Sequence, residues 1–393
     1  MGSIMTTTQL PFLPYALPDI GEAEQAAVGQ AMASGWVTTG PNARAFEQEF
    51  ATYLGGDVTA LAVSSATAGL HLAVEAIGIA PGDEVIVPTL TFTATAEVVR
   101  YMGADPIVAD IDPATLNIDP ADIERRITER TKAIIVVHYG GLACDMDAIL
   151  DIARRHDLRV IEDAAHAFPT LYRGALVGTL ASDITVFSFY ANKTMTTGEG
   201  GMVVTRDPIL AERMRVMRLH GINRDAFDRF QSKTPAWYYE VVAPGYKYNL
   251  NDMSAALGRV QLTRIDAFAE RRNALARRYH DAFAELPITD APRPAQGDTH
   301  AWHIYAIRLS VEDGDLDTRA RFIETLSAAG IGTSVHYIPL HRQPYWRDTY
   351  GLKADNYPHS DRAYHGLVSL PLYTLMSDAD QDRVIEAVKG ALA

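Results

Sequence analysis

The chain has 393 residues, enough for two domains, because single hydrophobic cores stop growing at about 250–300 residues. Apolar residues make up 48% and charged residues 21%, the balance of a soluble globular protein. The net charge of −14 argues against a nucleic-acid binder, which would present a basic face. The single cysteine, Cys144, is typical of a reducing cytoplasm. No apolar run reaches the ~18 residues of a membrane span, so we expect a cytoplasmic protein with no membrane partner.

Between residues 58 and 205, short apolar runs alternate with amphipathic stretches. The apolar runs predict strands at Leu61–Val63, Glu84–Val87, Ile107–Ala109, Ala133–His138, Arg159–Glu162, Thr185–Phe189 and Met202–Thr205. The stretches between them predict helices at Ala66–Ile77, Thr93–Met102, Pro120–Ile127 and Asp145–His156. Strands that alternate with helices indicate parallel crossovers, so the sequence predicts an α/β fold with a mostly parallel sheet.

After Thr205 the pattern changes. Residues 221–250 are polar and aromatic with little periodicity, which is typical of a functional or interfacial segment. A long helical pattern over 252–286 leads through a proline-rich connection to a smaller α+β unit. That unit has predicted strands near 303–309 and 332–337 and predicted helices near 318–329 and 378–391. We therefore predict two domains, a large one over 18–265 and a small C-terminal one over 266–393.

Lys193 follows a predicted strand and precedes a turn of small residues that ends at Gly201. A lysine just past a buried strand is poorly solvated, which lowers its pKa and makes the amine nucleophilic. The alternative is a surface lysine in a glycine-rich loop.

Asp163 ends another predicted strand, and His166 follows it by three residues. The carboxyl edge of a parallel sheet is where ligands bind in open α/β folds. An acid at this edge suits pyridoxal phosphate (PLP), whose pyridinium nitrogen needs an anionic partner if the ring is to act as an electron sink. The alternatives are a helix N-cap for Asp163 and a hydrogen-bonded core histidine for His166.

A third strand end carries Ser65, Ala66 and Thr67 before a predicted helix. Backbone N–H groups and hydroxyls at a helix N-terminus can bind phosphate, although serine and threonine also cap helices that bind nothing. Ser188 is a further candidate phosphate ligand. Phe92 follows a fourth strand end and could stack on a flat ring or belong to the core. Because four such ends converge on one crevice, the set indicates a ligand site more strongly than any member does.

These residues, in this order, resemble the fold-type-I, aspartate-aminotransferase-like enzymes. Within that group the chain is similar to the DegT/DnrJ/EryC1/StrS nucleotide-sugar aminotransferases, and closest to the UDP-4-amino-4-deoxy-L-arabinose aminotransferase branch. The resemblance runs from about Pro18 to the C-terminus. It depends on the segments 65–71, 81–85, 161–166, 197–202, 245–252 and 300–303.

The resemblance implies that Lys193 binds PLP as a Schiff base and then moves the proton between the substrate and the cofactor. It implies that Asp163 pairs with the pyridine nitrogen, that Phe92 stacks on the ring and that His166 contacts the ring hydroxyl. The phosphate would be bound by the segment from Ser65, through Ala66 and Thr67, and by Ser188. No metal site is expected.

The family is dimeric, so the resemblance also implies a homodimer in which Lys247 and Asn249 of a neighbouring chain complete each site. The expected partners are an amino-acid donor, glutamate, and a nucleoside-diphosphate sugar, with UDP and a 4-keto carbon as the first choice. Candidate cations for the diphosphate are Arg224, Arg229 and Lys247. Tyr190 stands where many relatives have histidine, and Phe168-Pro169 stands where glycine is common, so the exact sugar is left open. Because the cofactor residues are shared, a 3-keto sugar or a keto-cyclitol is an alternative substrate. A non-enzymatic regulatory protein on the same fold is a distant alternative.

Overall fold

The computed structural model describes residues 11–223, 237–312 and 314–393. Its strands are β1 (Thr59–Val63), β2 (Glu84–Pro88), β3 (Asp105–Ala109), β4 (Thr131–Val137), β5 (Arg159–Asp163), β6 (Leu171–Tyr172), β7 (Ala175–Leu176), β8 (Ile184–Ser188), β9 (Gly201–Thr205), β10 (Ile288–Thr289), β11 (Tyr305–Leu309) and β12 (Leu367–Leu370). Its α-helices are Glu22–Ala33, Pro41–Tyr53, Ala66–Ala76, Ala94–Tyr101, Pro120–Arg126, Met146–His156, Pro208–Met217, Asp252–Thr263, Ile265–Phe283, Asp317–Ala328, Pro344–Tyr350, Pro358–Gly366 and Asp378–Leu392.

Seven strands form the large sheet, in the order β1-β9-β8-β5-β4-β2-β3. Strand β9 runs antiparallel to both of its neighbours, and the other described pairs are parallel. Asp163 pairs with Val137 on one side and Val186 on the other, so β4 and β5 end level and β8 continues past them to Ser188. The predicted α/β fold with a mostly parallel sheet is confirmed.

A second sheet, β10-β11-β12, is antiparallel throughout and packs against the helices Ile265–Phe283, Asp317–Ala328 and Asp378–Leu392 to form a separate core. Leu13 also belongs to this core, because its backbone pairs with Gly330 and Gly332. The predicted division of the chain between residues 265 and 266 stays a prediction.

Two predicted elements differ in the structure. The long helical pattern is interrupted at Arg264, whose guanidinium donates to Asp19 at 2.7 Å and to Glu24 at 2.5 Å. The strand predicted over 332–337 is wrong: an isolated bridge between Ser334 and Ser369 is its one described pairing with β12. In the ranges that the structure describes, every helix is too short or too polar to cross a lipid bilayer.

The helix Ala66–Ala76 lies so close to the large sheet that Gly69 has no room for a side chain. A Cβ atom at Gly69 would stand 2.7 Å from Val186 and 2.9 Å from Val203. Both valines are fully buried and cannot move aside without disturbing their neighbours. Glycine at this position therefore sets the distance between helix and sheet.

We predict opposite effects on stability for two Gly→Ala substitutions in helices. Gly69→Ala should lower the free energy of unfolding by about 1–3 kcal/mol, because it overpacks the core. Gly29→Ala, in the exposed helix Glu22–Ala33 with nothing near the new methyl group, should raise it by about 0.5–1 kcal/mol. Denaturant melts of the two variants measure this, and a Gly69→Ala protein as stable as the parent would contradict the packing argument.

Candidate active site

A cavity of about 490 Å³ opens at the carboxyl edge of the large sheet. Eight of the residues predicted from the sequence line it: Ser65, Ala66, Thr67, Phe92, Asp163, His166, Ser188 and Lys193. They lie at the ends of four different strands or in the segments that follow them, as expected for a crevice at the ends of parallel strands.

Lys193 lies in the loop after β8, where its backbone N–H donates to Tyr190 at 3.0 Å. Its amine nitrogen is 3.3 Å from Nε2 of His303. Burial lowers the pKa of the Lys193 amine to about 8, and the Asp163 carboxylate opposes that shift only in part. A substantial fraction of the amine is therefore neutral near pH 8, in the form that attacks a carbonyl.

Asp163 is the last residue of β5 and is buried. Its carboxylate accepts hydrogen bonds from Thr95 Oγ1 at 2.8 Å and from the N–H of Ala165 at 3.2 Å. Burial raises the pKa of this carboxyl group, and the bond from Thr95 lowers it. A buried carboxylate with so few donors is stabilised by any cation that enters the cavity, which is what a protonated pyridine nitrogen would provide.

The segment of Ser65, Ala66 and Thr67 opens the helix Ala66–Ala76 beside the cavity. Ser65 caps this helix by accepting from the N–H of Ala68 at 3.1 Å, and it also lines the cavity. Its role as a helix cap is therefore compatible with a place in the site. A Cβ atom at Gly201 would lie 2.7 Å from the carbonyl of Phe187 and 2.9 Å from the Ala66 nitrogen. Glycine therefore lets β8, β9 and the helix N-terminus meet. A helix N-terminus that opens into a cavity attracts phosphate.

His166 is buried at the cavity wall. Its Nδ1 accepts the N–H of Gly140 at 3.3 Å, and its Nε2 is 2.9 Å from the hydroxyl of Tyr337. Burial holds its pKa well below the usual range, and the nearby charge of Lys193 lowers it further. His166 is therefore a neutral imidazole, and the alternative of a hydrogen-bonded buried histidine is compatible with its place in the cavity.

Phe92 is 57% exposed although it is a large apolar side chain beside a buried strand end. Its ring centroid lies 5.9 Å from that of Tyr337, and both residues line the cavity. An aromatic face left open here is available to stack on a flat ligand. The alternative that Phe92 belongs to the core is therefore wrong.

Sequence reasoning assigned no role to several residues that the structure places here. Tyr337 and His336 line the cavity from a segment about 140 residues beyond Lys193 in the chain. His303 reaches the amine of Lys193 from the segment before β11. Backbone N–H groups of this segment, at Ala301 and Ile304, donate to the carbonyls of Gly141 and Gly140. The one sequence signal for His303 was its place in the segment 300–303.

Lys247 and Asn249 are outside this cavity in the single chain. They lie beside the end of β1, where the carbonyl of Tyr248 accepts the N–H of Ser64 at 2.7 Å. Their expected role in a neighbouring chain stays a prediction. Arg224 and Arg229 fall outside the described residues. Within the described part of the chain, no cluster of histidine, cysteine and acidic side chains is arranged to bind a metal ion.

Comparisons with known proteins agree with this site. Residues 18–389 match the family model of the DegT/DnrJ/EryC1/StrS aminotransferase family. The chain is 48% identical over 379 residues to the spore coat polysaccharide biosynthesis protein SpsC of Bacillus subtilis, covering 96% of each chain.

Solved structures agree as well. Spr1654 of Streptococcus pneumoniae, in its PMP-form, has a TM-score of 0.90 and 33% identity, with 96% of this chain and 98% of that chain covered. A PLP-form of the same protein also matches. Helicobacter pylori PseC, an aminotransferase involved in pseudoaminic acid biosynthesis, has a TM-score of 0.88 and 27% identity, with 97% and 99% covered.

The chain belongs to the DegT/DnrJ/EryC1/StrS aminotransferase family. It is an aminotransferase that depends on PLP. The predicted family and the predicted cofactor are confirmed, and the alternative of a non-catalytic regulator is not supported. The buried carboxylate of Asp163 and the open helix N-terminus at Ser65 suit the ring nitrogen and the phosphate of that cofactor.

We predict that the rate at which the apoprotein captures PLP covalently depends on pH through Lys193. The neutral amine is the reactive form and its pKa is about 8, so the rate should rise with pH and level off above about pH 9. Stopped-flow absorbance measures the rate, and borohydride reduction followed by peptide mass spectrometry identifies the modified residue. A Lys132→Ala protein, changed at an exposed lysine, is the control. Half-maximal capture above about pH 10 would contradict the shifted pKa.

Proposed function

We propose that this aminotransferase transfers the amino group of L-glutamate to a keto carbon of a nucleoside-diphosphate sugar, with C4 of a UDP-linked sugar as the first choice. The observation that carries the proposal is the meeting of Lys193, Asp163 and the helix N-terminus at Ser65 in one cavity. The 3-keto sugar and the keto-cyclitol remain alternatives for the acceptor.

The names of the relatives support a sugar acceptor. SpsC acts in spore coat polysaccharide biosynthesis, and PseC is an aminotransferase in the biosynthesis of pseudoaminic acid. The other wall of the cavity also suits a sugar. It carries hydroxyl, amide and imidazole groups on Tyr190, Asn192, His336 and Tyr337, and such groups can hydrogen-bond to several sugar hydroxyls.

PLP, when bound, supplies an electron sink that stabilises the carbanion formed when the substrate loses its Cα proton. In our proposal Asp163 pairs with the ring nitrogen, Phe92 stacks on the ring and His166 contacts the ring hydroxyl. Ser65, Ala66, Thr67 and Ser188 bind the phosphate.

In our proposal Lys193 accepts the proton that the substrate loses from Cα and returns it later in the reaction. Its amine has a pKa of about 8, so near neutral pH it can both accept a proton from carbon and return one. Nε2 of His303 is within hydrogen-bond distance of that amine, at 3.3 Å, and burial holds the pKa of His303 well below the usual range, so this neighbour is a neutral imidazole.

The diphosphate needs cations that the cavity lacks. Among the described residues that line the cavity, Lys193 is the one lysine and there is no arginine. We propose that the missing cations, and further contacts to the cofactor's phosphate, come from Lys247 and Asn249 of a second copy of the chain in a homodimer. Arg224 and Arg229 are further candidates.

The first experiment tests the reaction and the acceptor. Glutamate should bleach the visible absorbance of the Lys193-bound cofactor. A panel of UDP-linked and dTDP-linked 4-keto sugars, 3-keto sugars and keto-cyclitols, read by mass spectrometry, should show the keto oxygen of a UDP-linked 4-keto sugar replaced by an amino group and a hydrogen. Lys193→Ala should lower turnover by at least about 1,000-fold, because both covalent and acid–base steps are lost. Full turnover in this variant, or amination of the cyclitols alone, would overturn the proposal.

The second experiment tests the shared site by co-expressing two inactive variants, Lys193→Ala and Lys247→Ala, with different tags. If Lys247 serves the neighbouring chain, each mixed dimer has one site with both lysines intact, and purified mixed dimers should recover about half of the parent's activity, as expected for one of two sites in a C₂ dimer. If Lys247 served its own chain, no site in the mixed dimer would be complete. Mixed dimers as inactive as the Lys193→Ala protein would therefore exclude the arrangement.

A further inference from the structure

Behind the carboxylate of Asp163 lies a short chain of threonine hydroxyls, from Thr95 to Thr91. Thr95 Oγ1 is 2.8 Å from Asp163 Oδ2, and Thr91 Oγ1 is 2.8 Å from Thr95 Oγ1. Thr95 is completely buried and Thr91 almost so. Thr95 belongs to the helix Ala94–Tyr101, and Thr91 precedes that helix beside Phe92.

When Asp163 is ionised, the hydroxyl of Thr95 can only donate to its carboxylate. A carboxylate can only accept, so Thr95 must use its single proton on Asp163. The lone pairs of Thr95 Oγ1 are then left to accept from Thr91 at 2.8 Å, although the carbonyl of Phe92, at 3.2 Å, is a second acceptor for the same Thr91 proton. A donor that itself accepts a hydrogen bond is polarised and binds its acceptor more strongly.

Among the described side chains, Thr95 is the one that donates a hydrogen bond to the carboxylate of Asp163. The one other protein donor recorded for the carboxylate is the N–H of Ala165, at a longer 3.2 Å to the other oxygen. Lys193 and His138 act on Asp163 through their charge and not through a recorded hydrogen bond. Thr95 is thus the described side chain that fixes the plane of the carboxylate.

We propose that Thr95 is a positioning residue for the transamination, because its hydroxyl holds Asp163 in one orientation and as the anion that the ring nitrogen of PLP requires. The inference rests on the role proposed above for Asp163. Thr91 supports Thr95 from behind and has a smaller effect of its own.

The experiment compares four variants of the full-length protein. Thr95→Val keeps the shape and removes the hydroxyl, whereas Thr95→Ser keeps the hydroxyl. Thr205→Val is the matched control, since Thr205 is also buried and donates to the carbonyl of Asp183 at 2.7 Å, outside the cavity. Asp163→Asn reports on the role of Asp163 itself. Equilibrium binding of PLP to each apoprotein, thermal melts of the apoproteins, and kcat and KM of the loaded enzymes are measured.

Thr95→Val should bind PLP at least about tenfold more weakly than the parent, the factor that corresponds to one hydrogen bond to a charged group. Its kcat should fall by a similar factor while KM for the keto acceptor stays within about twofold, because the lost contact acts on the cofactor and not on the acceptor. Thr95→Ser should recover most of both losses. Thr205→Val should melt earlier than the parent but bind PLP normally.

The variants distinguish a failure of the inference about Thr95 from a failure of the proposed role of Asp163. If Asp163→Asn binds PLP weakly but Thr95→Val binds it like the parent, Thr95 has no positioning role and the inference is wrong. If Asp163→Asn itself binds PLP and turns over like the parent, the proposed role of Asp163 fails first. A Thr95→Val protein that loses only thermal stability, to the same extent as Thr205→Val, would show that Thr95 is structural and would also overturn the inference.

Discussion

The active site depends on a buried carboxylate and a buried amine that line the same cavity. Asp163 and Lys193 stand at the ends of adjacent strands, where burial raises the pKa of the acid and lowers that of the amine to about 8. Both shifts disfavour the charged forms, so neither group alone is stabilised as an ion by the cavity. In the proposed site, PLP would bring a positive ring nitrogen to Asp163 and an electrophilic carbon to Lys193, which would offset both costs of burial. The cavity therefore favours a ligand that has a positive charge near Asp163 and an electrophilic carbon near Lys193.

The cavity is lined by residues at the ends of the large sheet and by residues from distant segments of the chain. The sequence predicts the first group better than the second. The strand ends with Ser65, Phe92, Asp163 and Lys193 were predictable, because each lies a few residues beyond an apolar run and parallel strands bring such positions together. Gly69 and Gly201 appear in the same segments, and their close contacts explain why small residues follow these strands.

The other side of the cavity was less predictable. His303, His336 and Tyr337 belong to the segments around the small sheet, and no local period connects them with the ends of the large sheet. The strand predicted over 332–337 was wrong for the same reason: the segment makes one bridge to β12 at Ser334 and then leaves the sheet toward the cavity. Contacts of this kind depend on tertiary packing that propensity and patterning do not encode. Thr95 was inside a predicted helix, but its bond to Asp163 depends on which face of that helix turns inward.

Strand β5 carries two neighbouring acids that the pleat sends in opposite directions. Asp163 faces the cavity, whereas Glu162 is paired with His138 at 2.8 Å and accepts from Thr185 at 2.8 Å in the fully buried layer behind the sheet. Because side chains alternate along a strand, a register slip of one residue would turn Glu162 toward the cavity and Asp163 toward the layer behind the sheet. Glu162 would then enter the cavity with a longer side chain, and Asp163 would lie too far from His138 to neutralise it. Single-residue insertions or deletions in β5 should therefore abolish function even where the strand itself still forms.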